Sequence, residues 1–166
     1  MPGLRAVIDG MVRGVYRLGY RGAVAWWYLR RPRHDGAVVA VWLDGEILMV
    51  RHSYRRALGW PGGGIGLGER PVDAARRELR EELDLAIEPE ALVLTAEIDE
   101  RREFRRDRIR IFELELGMPP PLRLDRREVV DAVFMTPAAA LAEEIVPFIR
   151  TYLEARMAGA KAGKGD

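Results

Sequence analysis

The sequence predicts a single α+β domain, and three features carry that prediction. A two-residue Asp-Gly separates two apolar runs, a helix-patterned stretch follows a glycine cluster, and further strand-like runs precede a helical C-terminal stretch. At 166 residues with 48% hydrophobic content, the chain can bury one substantial core. Its net charge of +1, with 32% charged residues, marks neither a nucleic-acid binder nor an acid-seeking surface, so any electrostatic function must be local. Cysteine is absent, which excludes disulfides, thiolate metal sites and a cysteine nucleophile, and is permissive for the cytoplasmic location expected here.

Residues 1–35 form a basic N-terminal segment, "MPGLRAVIDGMVRGVYRLGYRGAVAWWYLRRPRH" and the Asp that follows. Val7, Met11, Val15, Leu18, Gly22, Trp26 and Leu29 recur at helical spacing, with Arg13, Arg17 and Arg21 on another face. The uncharged run Gly22 to Leu29 is too short for a signal peptide's apolar region or for the roughly 20 residues that span a bilayer. The segment is read as an extra helix packed on the domain or in a homodimer interface. The alternative is a peripheral contact with an anionic membrane, Trp26, Trp27 and Tyr28 lying at headgroup depth.

The domain proper is expected over 36–158. "AVVAVWL", "DG" and "EILMVRH" predict a hairpin, because Asp-Gly accepts the positive φ of a tight primed turn. Pro61 and the glycines after it end extended structure. Pro71 suits a first helical turn, and Ala74, Ala75, Leu79 and Leu83 stripe a helix over about 71–83. "ALVLTAEI", "RIRIFELEL" and "EVVDAVFMT" read as strands, the second with Arg108 and Arg110 on a wet face. "PAAALAEEIVPFIRTYLEARM" predicts one or two helices with Pro147 at a break or first turn, and 159–166 a flexible tail.

That central helix carries Glu78, Glu81 and Glu82 on one side, while Leu79 and Leu83 point to the core. Like charges at this spacing repel, so a positive partner is expected. Oxygen ligands without histidine or cysteine suit hard cations, Mg²⁺ first and Mn²⁺ next, which take further oxygens from a substrate's phosphates. A solvated acidic face among alternating Arg and Glu is the plainer alternative.

The complete spacing decides between them. Gly63, five residues, Glu69, seven residues, then "RELREELDL" from Arg77 to Leu85 resembles the Nudix hydrolase signature at every fixed position but one: Asp84 stands where the family has its last glycine. The expected location of Asp84 is the helix C-terminus, where a left-handed residue is wanted. The resemblance implies a Nudix-like α/β/α sandwich with a central mixed β-sheet. It further implies that Glu78, Glu81 and Glu82 bind the divalent metal with a backbone carbonyl of Gly62 or Gly63, and that Arg77 and Glu69 brace the loop. The implied reaction is metal-dependent cleavage of the pyrophosphate in a nucleoside diphosphate linked to another group.

The proton acceptor varies across that family. Glu81, Glu97, Glu100 and Glu128 are the candidates, with Glu81 and Glu100 favoured. Arg51, His52, Tyr54, Arg55, Arg56 and Trp60 flank the loop and are candidates to meet phosphate or stack on a base. "DERREF" carries neither the proline of ADP-ribose-cleaving subfamilies nor the tyrosine of diadenosine polyphosphate hydrolases, and the cysteine of the related isomerases is missing. The expected partner is a small nucleotide; RNA is not expected, since only 101–110 offers a basic track. The competing class is a catalytically idle Nudix domain used as a nucleotide sensor or interaction module, which typically loses a ligand glutamate, whereas all are present here.

Overall fold

The computed structural model describes residues 11, 15, 19, 20, 22, 33–102 and 105–162. Asp44 and Gly45 take φ values of 50° and 80°, the left-handed pair that a two-residue primed turn demands. They join β1 (Arg33–Leu43) to β2 (Glu46–His52) as expected, β1 starting ahead of Gly36. The other strands are β3 (Gly62–Gly64), β4 (Val93–Arg102), β5 (Arg105–Leu116) and β6 (Val129–Met135), in the spatial order β4-β5-β1-β2-β6 with β3 on β1. β1 runs parallel to β5 from Arg33↔Arg106 to Leu43↔Leu116, while the other pairs are antiparallel. The sheet is therefore mixed.

The other edge of β1 is shared between two strands. Trp42 and Leu43 face β2, whereas Gly36, Ala37 and Val38 face Gly64, Gly63 and Gly62. Between these, Gly59 pairs with Val50 of β2 and the Pro61 carbonyl accepts from the Val39 amide. Residues 59–64 thus form a wedge that parts β1 from β2. Glycine is required in it: at Gly62, with φ of 145°, a Cβ would stand 2.4 Å from the Ala37 carbonyl oxygen.

Strand alternation sorts the core into two layers. Ala37, Val39, Val41, Leu48, Val50, Phe112 and Leu114 pack on one face against Ala74, Ala75, Leu79 and Leu83 of α1 (Pro71–Leu83). On the opposite face Ala40, Trp42, Ile47, Met49, Ile109 and Ile111 meet α2 (Pro137–Ala142) and α3 (Pro147–Ala162). Helices on both faces make the α/β/α sandwich. Thr136 caps α2 by accepting from the Ala139 amide at 3.2 Å, and Pro147 opens α3, which settles the closing region as two helices. Helix α3 continues to Ala162, so the first residues of the expected tail are helical; alanine and lysine there favour helix.

Of the N-terminal segment, Met11, Val15, Gly19, Tyr20 and Gly22 are helical; Met11 and Val15, from the expected apolar stripe, are exposed, and Tyr20 is half-buried. The remainder of that expected helix lies outside the described residues. Among the described residues, no helix is long and apolar enough to cross a membrane.

Asp84 ends α1 in the left-handed conformation, φ 56° and ψ 32°, its amide donating to the Arg80 carbonyl while Leu85 donates to that of Leu79. This is the glycine-type helix stop with a side chain on it. Its ion pair with Arg123, 3.7 Å and exposed, offsets little, and a carboxylate opposes the negative helix end. Asp84→Gly should therefore raise stability by about 0.5–1 kcal/mol, a gain of about 1–4 °C in a thermal melt. A lower melting temperature would show that Asp84 contributes more here than its backbone strain costs.

Candidate active site

The helix and the glycine wedge meet at the three glutamates, and the meeting separates them by depth. The Glu82 side chain is 3% exposed, that of Glu78 13% and that of Glu81 54%. Glu82 lies innermost, accepting from the Gly62 amide at 3.2 Å and standing 3.3 Å from His52 Nε2. Burial holds its carboxyl well above the usual carboxylate range, and the charge on Glu78 pushes the same way. Burial also raises Glu78, against the opposing pull of Arg77. A Cβ on Gly63 would sit 2.5 Å from Glu78 Oε1, so the bare backbone there is what lets this carboxylate lie flat against the strand.

Arg77 is the positive charge that the crowded carboxylates call for. Its Nε donates to Glu69 Oε1 at 2.9 Å and its Nη2 to Glu69 Oε2 at 3.2 Å, a two-pronged pair. Nη2 also donates to the Gly64 carbonyl at 2.9 Å, and Nη1 to Glu78 Oε1 at 2.6 Å and Glu81 Oε2 at 3.3 Å. Glu69 accepts in addition from the Gly66 amide at 2.7 Å, and the Arg77 hydrogen bonds followed by that amide hold its carboxyl below the usual range. One guanidinium thereby ties the loop, the glycine strand and the helix together.

Among the described residues, no three His, Asp or Glu side chains converge into a ready-made metal cage. The donor set nevertheless fits a hard divalent cation. Glu82 is buried and Glu78 half-buried, and burial raises both carboxyls despite the opposing pull of Arg77 on Glu78 and of the Gly62 amide on Glu82; Glu81 adjoins them, so oxygen donors outnumber the positive charge supplied by Arg77.

A cavity of about 390 Å³ opens over these groups, lined by Glu78, Glu81, Gly62, Gly63, Tyr54 and Arg55 among others. Its volume is in the range of small-molecule sites. Burial raises the Tyr54 hydroxyl above its ordinary value. Trp60 borders the cavity but is buried, its ring edge-on to Phe148 at 6.0 Å and Tyr152 at 5.0 Å, which makes packing its evident role. Arg51 is exposed, donates to the Arg56 carbonyl at 2.9 Å, and is not one of the lining residues.

The candidate proton acceptors separate likewise. Glu128 lines the cavity with Glu81, brought there by its carbonyl accepting from the Ser53 amide at 2.7 Å. Glu97 is engaged by Arg110 at 3.1 Å. Glu100 pairs in register with Asp107 on β5, and its side chain lies outside the described set. Asp107 and Tyr20 also line the cavity and were not singled out from the sequence. Asp107 lies in the arginine-rich stretch 101–110, just ahead of the run read as a strand, yet it is buried and reaches the cavity from across β1, opposite the glycine wedge; the parallel pairing of β5 with β1 places it there.

Comparisons with known proteins agree with this geometry. The NUDIX domain family model matches residues 32–155. The fold is similar to that of the E. coli ORF135 protein, with 22% identity, 82% of this chain and 97% of that one covered, and a TM-score of 0.65. It is similar to a C. elegans Ap4A hydrolase at 17% identity, 78% and 98% coverage and a TM-score of 0.65. A Francisella tularensis bifunctional NMN adenylyltransferase/ADP ribose pyrophosphatase, complexed with AMP and a Mn ion, matches at 16% identity over 89% of this chain and 48% of that one, with a TM-score of 0.64. No curated protein matches the chain. With its family match running from the start of β1 into α3, and with the sandwich built around a glycine wedge and a carboxylate helix, the chain belongs to the Nudix family.

Proposed function

We propose that the enzyme is a divalent-metal-dependent pyrophosphohydrolase that cleaves a nucleoside diphosphate linked to another moiety. One observation carries the reading: Glu78, Glu81 and the glycine strand share a single cavity with Tyr54 and Arg55, so oxygen donors suited to a metal and groups suited to a nucleotide face one volume. Glu78, Glu81 and Glu82, with a backbone carbonyl at Gly62, would hold Mg²⁺, or Mn²⁺ in its place, which when bound supplies charge neutralisation at phosphate oxygens and a more acidic water. Arg77 and Glu69 keep the loop seated on the helix and so hold Glu78 and Glu81 in aim. Arg55 offers a cation for a phosphate oxygen. Glu128 and Glu81, both on the cavity wall, are the groups placed to take the proton of the attacking water. Hydrolysis then breaks one P–O–P bridge and leaves two phosphate products. Two of the similar structures point to the same substrate class, being an Ap4A hydrolase and an ADP ribose pyrophosphatase.

The test is a phosphate-release screen of the purified protein against nucleoside diphosphate derivatives, dinucleoside polyphosphates, nucleoside triphosphates and 5′-triphosphorylated RNA, with Mg²⁺, Mn²⁺ or chelator and with coupling phosphatase and pyrophosphatase. Turnover of one of the first two classes that chelator abolishes is the expected result. Nucleotide binding without hydrolysis across the panel would overturn it in favour of a sensor.

A further inference from the structure

Tyr20 lies outside residues 32–155, the span shared with the family, yet it lines the same cavity as Glu78 and Glu81. Its ring stacks on that of Tyr54, with centroids 5.2 Å apart and planes 30° from parallel. Tyr54 in turn lies 5.2 Å from the His52 ring, tilted by 37°, and carries the Arg55 guanidinium 5.5 Å over its centroid. His52 reaches Glu82 at 3.3 Å. A series of rings thus leads from the N-terminal segment to the innermost carboxylate.

This series changes what the cavity presents. With Tyr20 laid on it, one face of Tyr54 is closed to any incoming ring, so an aromatic group entering the cavity meets the Tyr20–Tyr54 pair as a composite wall. We propose that Tyr20 is a specificity-determining residue, the part of this enzyme outside its family domain that stacks on the nucleobase of the substrate. The proposal deepens the pyrophosphohydrolase reading and rests on it for the substrate class. A planar base is the occupant favoured by the wall's chemistry, because every base offers a π-face to an aromatic ring and gains about tenfold or more in affinity from it. Arg55, beside Tyr54, supplies the positive charge that the attached phosphates require.

Calorimetric binding of two hydrolysis-resistant probes in Mg²⁺ tests it: α,β-methylene-ADP, which carries a base, and methylenediphosphonate, which does not. Tyr20→Ala should weaken α,β-methylene-ADP about tenfold and leave methylenediphosphonate within about twofold, while Tyr20→Phe, which keeps the ring, should bind both like the wild type. Equal weakening of both probes, no weakening of either, or a Phe variant as impaired as the Ala variant would overturn the proposal. So would a wild type that binds both probes equally or neither. Because neither probe is hydrolysed, the result is independent of turnover: ring-dependent binding in a protein silent in the hydrolysis screen would sink the pyrophosphohydrolase reading and leave the role of Tyr20 standing.

Discussion

Glu82→Gln is expected to lower metal-dependent turnover by on the order of a hundredfold or more, because even groups that merely orient metal ligands cost about 10–100-fold when removed and Glu82 is proposed here as a ligand. The fold should survive. Gln can keep the bond from the Gly62 amide through its oxygen and turn its amide nitrogen to His52. The substitution also removes a charge from a buried position crowded by Glu78, Glu81 and Asp125, so the melting temperature should hold or rise. Steady-state rates across a Mg²⁺ titration, beside a thermal melt, check both halves. A variant with wild-type turnover would remove Glu82 from the metal site, and a variant that melts early would show the charge to be structurally compensated.

The second large effect falls on stability. In Gly62→Ala the new methyl group would stand 2.4 Å from the Ala37 carbonyl oxygen and 2.6 Å from Val38 Cα, both backbone atoms of β1, at a φ of 145°. Backbone strain of 1–3 kcal/mol and overpacking of similar size together suggest a loss of about 3 kcal/mol, or about 6–12 °C in the melting temperature. Gly45→Ala is the control, since Gly45 also has positive φ but nothing within 4 Å; it should cost only about 1 kcal/mol. Equal losses in the two variants would mean that conformation alone, and not the approach of β3 to β1, makes Gly62 necessary.

Much of this molecule was legible in the sequence because the signals were local. Asp44-Gly45 announced its turn, Pro71 and the Ala74, Ala75, Leu79, Leu83 stripe announced α1, and the pairing of Glu69 with Arg77 was implied by the resemblance of residues 63–85 to the family signature. Depth was not legible. A helical wheel gives Glu78, Glu81 and Glu82 a direction, but burial of Glu82 and exposure of Glu81 depend on where the glycine wedge and His52 come to rest. Trp60 read as a possible stacking platform beside the loop, and only the packing of Phe148 and Tyr152 from α3 shows it committed to the core. Tyr20 and Asp107 were missed for the same reason, each being brought to the cavity by contacts far apart in the chain.

The parallel pairing of β1 with β5 bears on the order in which the protein assembles. Ala37 lies opposite Arg110, and the intervening chain contains the glycine strand, α1 and β4. Closing so long a loop costs entropy before the contact returns any stabilisation, which places this fold among the slower folders of its size. The glycine strand docks on the edge of β1 opposite β5, so the carboxylate helix gains its permanent seat only when β1 is held in the sheet. A helix of 13 residues is marginal in water by itself, so the ordering of the glutamates depends on the long-range closing of the sheet.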